Sequence, residues 1–304
     1  MNILELNNVV KSYDQNIAVN DVSFNVPKGC IFGLLGPNGA GKTSLIRIIT
    51  TITRPDSGTV FLDGSPLNSY SPSQIGYMPE ERGLYKKMKV GEHLIYLARL
   101  KGMSKPQAKD AIKHWFDKFE ISDWWDKKVE ELSKGMQQKI QFISTVIHRP
   151  KLLILDEPFS GLDPINTNLI KDEIDQLHHQ GISIIFSTHR MEQVEEICER
   201  IVLINKGENI LEGEVKSIKD QFKKKLFKIN FAGQLPLDLS KNLTIQSQTD
   251  NSLIIKLNEG EDSNKALGYL LASGVSIQSF NEILPTLNEI FIQQVENSNQ
   301  PVNI

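Results

Sequence analysis

The chain has 304 residues, enough to bury a full core and to carry two domains. Its 34 Lys and Arg against 37 Asp and Glu leave a formal net charge of −3, which excludes a general electrostatic pull toward nucleic acid or anionic lipid. Hydrophobic residues make up 39% and charged residues 23%, an ordinary globular composition, and the longest apolar runs, such as "LLIL" and "IIF", fall far short of a membrane span.

In chain order, "ILELNNVVKSY" and "AVNDVSFNV" predict two strands. "GCIFGLLG" is a nearly continuous apolar run ending in glycine, as expected for a strand buried on both faces. A Gly-rich turn and the periodic helix "KTSLIRIIT" follow, then strands at "GTVFLDG" and "IGYMPE". From about Val90 to Arg149 the pattern is helical. Strands return at "KLLILDE", "GISIIFSTH" and "RIVLINKG", with a helix from Met191 to about Glu199 between the last two.

This alternation predicts an α/β core with a mostly parallel sheet, carrying a helical lobe at about residues 85–150. The core is expected to occupy residues 1–215. Residues 216–225 read as a polar, basic linker, residues 226–296 as a small α+β domain, and the Asn-rich residues 297–304 as a disordered tail. The "KKK" run at 223–225 reads as a solvated face. Cys30 and Cys198 have apolar flanks and no metal-type spacing, which suits buried thiols in a reducing cytosol. The N-terminus lacks the pattern of a signal peptide. The expectation is a soluble, cytosolic chain that needs another polypeptide for any membrane-spanning task.

"GPNGAGKT", Gly36 to Thr43, has the spacing G-x-x-x-x-G-K-[ST] between a predicted strand and a predicted helix. Glycines at 36, 39 and 41 let the backbone wrap a phosphate. Lys42 can reach the β- and γ-phosphates, and the Thr43 hydroxyl can be offered to Mg²⁺. The nucleotide-binding segment is expected to comprise Gly36, Pro37, Asn38, Gly39, Ala40, Gly41, Lys42, Thr43 and Ser44.

Further along, "KLLILDEP" carries Asp156 and Glu157 to the carboxyl end of a strand, where open α/β sheets bind ligands. One carboxylate can serve Mg²⁺ and the next can polarise water. His189, in "STHR", ends the following strand at the same sheet edge, within reach of a γ-phosphate. His178 and His179 lie on a polar helix end and are not expected to be catalytic. Tyr13 could stack on adenine or simply pack. Ser133 in "LSKGMQQK" is an N-cap, whose helix start offers free N–H groups to an anion.

Taken together, these segments resemble the nucleotide-binding subunit of ATP-binding cassette transporters. "GPNGAGKT" matches the Walker A motif, "LLILDE" Walker B, "LSKGM" the signature motif, "SGLD" with Asp163 the D-loop, and His189 the switch histidine. Tyr13 falls at the family's A-loop position. Glu80 in "PEERGLY" falls at its Q-loop position, where the family usually has Gln. Within the family, "PEERGLY", "LSKGMQQK" and the C-terminal "LPTLNEIFI" resemble bacterial sodium-extrusion and ABC-2-type export ATPases.

The resemblance implies an ATPase using ATP and Mg²⁺, with Lys42, Glu157 and His189 catalytic and Thr43, Asp156 and Glu80 at the metal. It implies two subunits head to tail, so that Ser133 and Gly135 of one contact the nucleotide held by the other. A separate integral-membrane permease would hold the assembly at the inner face of the membrane, with "ERGLY" and the helical lobe facing it. Lys134 and Met136 depart from the family's usual Gly and Gln. A cassette protein acting on ribosomes or DNA, or a regulatory ATPase, remains the alternative.

Overall fold

A computed structural model describes residues 1–299 except 82, 237, 238 and 259. The chain divides into two units, one comprising Met1–Glu214 with the chain from Gln294 on, the other Val215–Gln293.

The first unit opens with a long hairpin, β1 (Asn2–Tyr13) and β2 (Asn16–Pro27), followed by β3 (Ile31–Leu35) and α1 (Lys42–Ile49). Next come β4 (Ser57–Leu62), β5 (Ser65–Pro66), α2 (Ser71–Gln74) and β6 (Ile75–Met78). The helices α3 (Val90–Leu100), α4 (Lys105–Lys118) and α5 (Lys134–Val146) precede β7 (Leu152–Asp156). Then follow α6 (Pro164–His179), β8 (Ser183–Ser187), α7 (Met191–Ile197), β9 (Arg200–Asn205) and β10 (Glu208–Glu214).

The central sheet has the order β10-β9-β3-β8-β7-β6, parallel except for the antiparallel β10. Its strands are apolar without alternation because helices and the second sheet cover both faces; all five residues of β3 are buried. The second sheet, β2-β1-β4-β5, is antiparallel. Phe24 and Phe32 stack with ring centroids 5.6 Å apart and help join the two sheets into one core. Burying such a side chain contributes about 1.5–3 kcal/mol.

α4 starts with a capping box, Ser104 Oγ accepting from Gln107 N while Gln107 Oε1 accepts from Ser104 N. Trp115, Phe119 and Phe142 pack edge-on and stacked, which fastens α4 to α5. α5 in turn lies tight on the central sheet: a Cβ on Gly76 of β6 would come within 2.4 Å of the Thr145 carbonyl.

The second unit holds α8 (Val215–Gln221), β11 (Leu226–Ala232), α9 (Leu239–Asn242), β12 (Thr244–Gln248), β13 (Ser252–Lys256), α10 (Ser263–Ala272) and β14 (Ser276–Ile283). Its antiparallel sheet has the order β12-β13-β11-β14, and Ala266 and Leu270 of α10 join its core.

Two expectations need correction. Residues 216–225 are not simply a linker, because α8 buries Val215 and Ile218 along one side while its lysines stay solvated. Residues 297–299 are not a disordered tail: α11 (Leu287–Asn299) runs through them, and Asn205 Nδ2 donates to Ser298 Oγ at 2.8 Å. The rest of that tail, 300–304, lies outside the described residues.

Candidate active site

The phosphate-type loop leaves β3 at Leu35 and enters α1 at Lys42. Two of its glycines are dictated by close packing. A Cβ on Gly36 (φ +150°) would sit 2.2 Å from the Ile204 carbonyl, and one on Gly41 (φ +109°) 2.2 Å from that of Ala18. Gly41 caps α1 without a side chain, so the first-turn N–H groups face outward with the positive end of the helix. Lys42 Nζ donates to the carbonyls of Gly36 at 2.6 Å and Pro37 at 3.0 Å. Burial lowers its pKa, against the raising influence of Asp156, Glu157 and Glu80.

β7 and β8 are neighbours, which sets their carboxyl ends side by side. Ser187 Oγ donates to Asp156 Oδ1 at 2.8 Å. Burial pushes the Asp156 carboxyl above its ordinary range, Glu80 and Glu157 push the same way, and the Ser187 hydrogen bond and Lys42 oppose them. Glu157 takes a left-handed backbone (φ +50°), and its N–H donates to the Ser187 carbonyl at 2.8 Å. Its Oε1 accepts from the His189 N–H at 2.8 Å and meets His189 Nδ1 at 2.7 Å, while Oε2 accepts from Thr188 Oγ1 at 3.1 Å.

Ala18, residues 38–44, Glu80, Asp156, Glu157 and His189 line one cavity of about 350 Å³. The Thr43 hydroxyl and the carboxylates of Asp156, Glu157 and Glu80 make an all-oxygen donor set, which fits Mg²⁺. Beside them, Lys42 and the start of α1 suit a polyphosphate.

Ser133, Gly135, Asp163 and Tyr13 are not among the residues lining this cavity. Ser133 caps α5, its Oγ accepting from Met136 N at 3.3 Å. Among the described residues, a Cβ on Gly135 would meet only Leu162 Cδ2, at 3.8 Å, so their packing does not demand glycine there. Lys134 borders a second cavity, of about 800 Å³, together with Glu80, Glu81 and Glu130. Asp163 caps α6 by accepting from Asn166 N at 3.0 Å. Tyr13 ends β1 and is exposed, with Lys11 Nζ 5.4 Å from its ring centre.

Ser187 and Thr188, the two residues before His189, hydrogen-bond the carboxylates of Asp156 and Glu157, contacts that the segment "STHR" does not announce. Gln138 and Gln141, two buried amides of α5, are equally silent in the sequence. His178 and His179 close α6, with Asp175 nearby, and each ring already contacts a backbone carbonyl, Gly29 O and Asp175 O respectively, at 2.8 Å.

A model of the ABC transporter family matches residues 19–160, and one described as the C-terminal domain of DrrA1-3-like ATP-binding proteins matches residues 213–295. ABC transporter ATP-binding protein YhaQ of Bacillus subtilis (strain 168) is 44% identical over 294 residues, 96% of this chain and 98% of its own. Nod factor export ATP-binding protein I of Burkholderia thailandensis is 34% identical over 218 residues, 71% of this chain and 72% of its own. A solved structure of an ATP binding subunit of an ABC transporter superposes with a TM-score of 0.68 at 29% identity, covering 72% of this chain and 93% of its own. The chain belongs to the ABC transporter ATP-binding proteins, a family of ATPases built on the P-loop fold. No helix among the described residues is long and apolar enough to cross a membrane.

Proposed function

We propose that this chain is the ATP-hydrolysing subunit of a membrane exporter, working as a homodimer on a separate permease at the inner face of the membrane. The observation that carries the reading is the division of the motifs. The phosphate loop, Asp156, Glu157 and His189 share one cavity, and Ser133 and Gly135 stand outside it. A second copy, placed head to tail, supplies the missing signature loop.

In this reading the first-turn N–H groups of α1 and Lys42 hold the triphosphate. Thr43, Asp156 and Glu80 would hold Mg²⁺, which when bound neutralises phosphate charge. Glu157 accepts a proton from the attacking water. Thr188 and His189 fix its carboxylate by hydrogen bonds to its two oxygens, and His189 then stabilises charge on the γ-phosphate. Ser133 and Gly135 of the partner copy close on that phosphate, and Tyr13 stacks on the base. Asp163 lies at the same dimer seam, at the start of α6.

Export is supported by the relative named for Nod factor export. The permease is expected on the helical lobe, where Tyr85, Tyr96 and Leu100 are exposed; Arg82 of the predicted "ERGLY" surface lies outside the described residues. Affinity purification from detergent-solubilised membranes tests this directly. Co-purification of a multi-span protein in stoichiometric amount supports the exporter, and recovery with ribosomes or DNA instead overturns it.

A further inference from the structure

Gln138 and Gln141 lie three residues apart on one face of α5, both almost fully buried. Gln138 Nε2 donates to the Pro158 carbonyl at 2.9 Å, and Gln141 Nε2 donates to the Pro79 carbonyl at 2.7 Å. Each acceptor adjoins a carboxylate of the cavity: Pro158 follows Glu157, and Pro79 precedes Glu80. A proline has no N–H, so at these two points the loops can be fastened only through their carbonyls. A buried amide is costly unless hydrogen-bonded, which makes each contact specific to one geometry.

The helix that carries these amides cannot drift, because α5 is seated against Gly76 of β6. It is also the helix that Ser133 caps, about 7.5 Å along the axis from Gln138 and about 12 Å from Gln141 at 1.5 Å per residue.

We propose that Gln138 and Gln141 are positioning residues: Gln138 sets the Glu157 carboxylate and Gln141 sets Glu80, each through the neighbouring proline. α5 then links the signature end to both carboxylates as one rigid element. The inference rests on the hydrolytic reading above.

Gln138→Met and Gln141→Met keep side-chain length and remove the donor. Their ATPase activity is measured against ATP, Mg²⁺ and pH, beside thermal melting. Gln138→Met is expected to lower kcat about tenfold, with KM for ATP and half-saturating Mg²⁺ within about twofold of wild type. Gln141→Met is expected to raise half-saturating Mg²⁺ about fivefold, with kcat recovering at saturating metal.

Gln141→Glu gives a second arm, and covers a Met variant that fails to fold. Its carboxylate cannot donate to Pro79, but the protonated acid can, so its Mg²⁺ requirement should approach wild type as pH falls. Lowered melting temperatures with wild-type kcat, Mg²⁺ dependence and pH profile would reduce both residues to packing and overturn the proposal. A wild-type chain that binds Mg²⁺ and ATP without hydrolysis overturns the hydrolytic reading instead, whatever the variants do.

Discussion

His189 engages a single oxygen of Glu157 twice, through its backbone N–H at 2.8 Å and its ring Nδ1 at 2.7 Å. With Thr188 on the other oxygen, the carboxylate has donors on both sides and one orientation. Glu157→Gln keeps the shape but turns an NH₂ toward one set of donors and removes the proton acceptor. Turnover should fall by about 10²–10⁴ while ATP binding survives. Phosphate release and nucleotide titration on the same preparation separate the two effects, and near-normal turnover would remove Glu157 as the base.

Lys42→Ala should act on binding. The ammonium is held beside the first turn of α1 by two loop carbonyls, and a hydrogen bond to a charged group contributes about 1.5–3 kcal/mol. The dissociation constant for ATP should rise roughly 10- to 100-fold by calorimetric titration.

Ser133→Arg tests the composite site. The substitution leaves the phosphate loop untouched, so ATP should bind while hydrolysis is lost. Mixed with Lys42→Ala, heterodimers hold one interface with an intact phosphate loop and an intact signature loop. Nucleotide-dependent association, read by light scattering, should reappear in the mixture and in neither variant alone. Its absence in the mixture argues for a site completed within one chain.

Glu80 adds a third carboxylate to the cavity with Asp156 and Glu157. Glu80→Gln should raise the Mg²⁺ needed for half-maximal activity and slightly strengthen ATP binding in chelator, since less negative charge then faces the triphosphate. Superimposable Mg²⁺ curves would place Glu80 outside the metal site.

Acid sensitivity should come from two histidines. Burial pushes His93 and His148 down to about 4 from an ordinary 6.5, and neither ring nitrogen of His93 has a hydrogen-bond partner among the described residues. A lowered pKa means that the unfolded chain takes up the proton first. Their neutral burial is therefore fully tolerated above pH about 6.5 and opposes folding progressively as pH falls toward about 4. The melting temperature should drop between pH 7 and 5, and His93→Phe should flatten that slope.

Features written in contiguous residues are legible from the chain alone. Gly36, Gly41 and the Lys-Thr pair announce a phosphate loop because left-handed backbone and a helix start are specified by a few neighbouring positions. Unbroken apolar runs likewise declare strands covered on both faces. The run at 216–221 misled because its lysines mask the two apolar residues that α8 buries, and composition carries no record of which side of a helix meets a core.

Sheet order decided the rest. β3, β8 and β7 are adjacent in space but not in sequence, and that adjacency brings Glu157 to His189 across 32 residues and both to the loop of Lys42. It also lets Gln141 reach the Pro79 carbonyl 62 residues away, a contact with no local signature because a buried amide and a proline carbonyl acquire their meaning only when packing removes water from both. Residue type and local spacing specify which groups can bind a phosphate or take a proton. Which of those groups share a cavity is a property of the folded chain, since long-range pairing depends on how the whole sheet buries its faces.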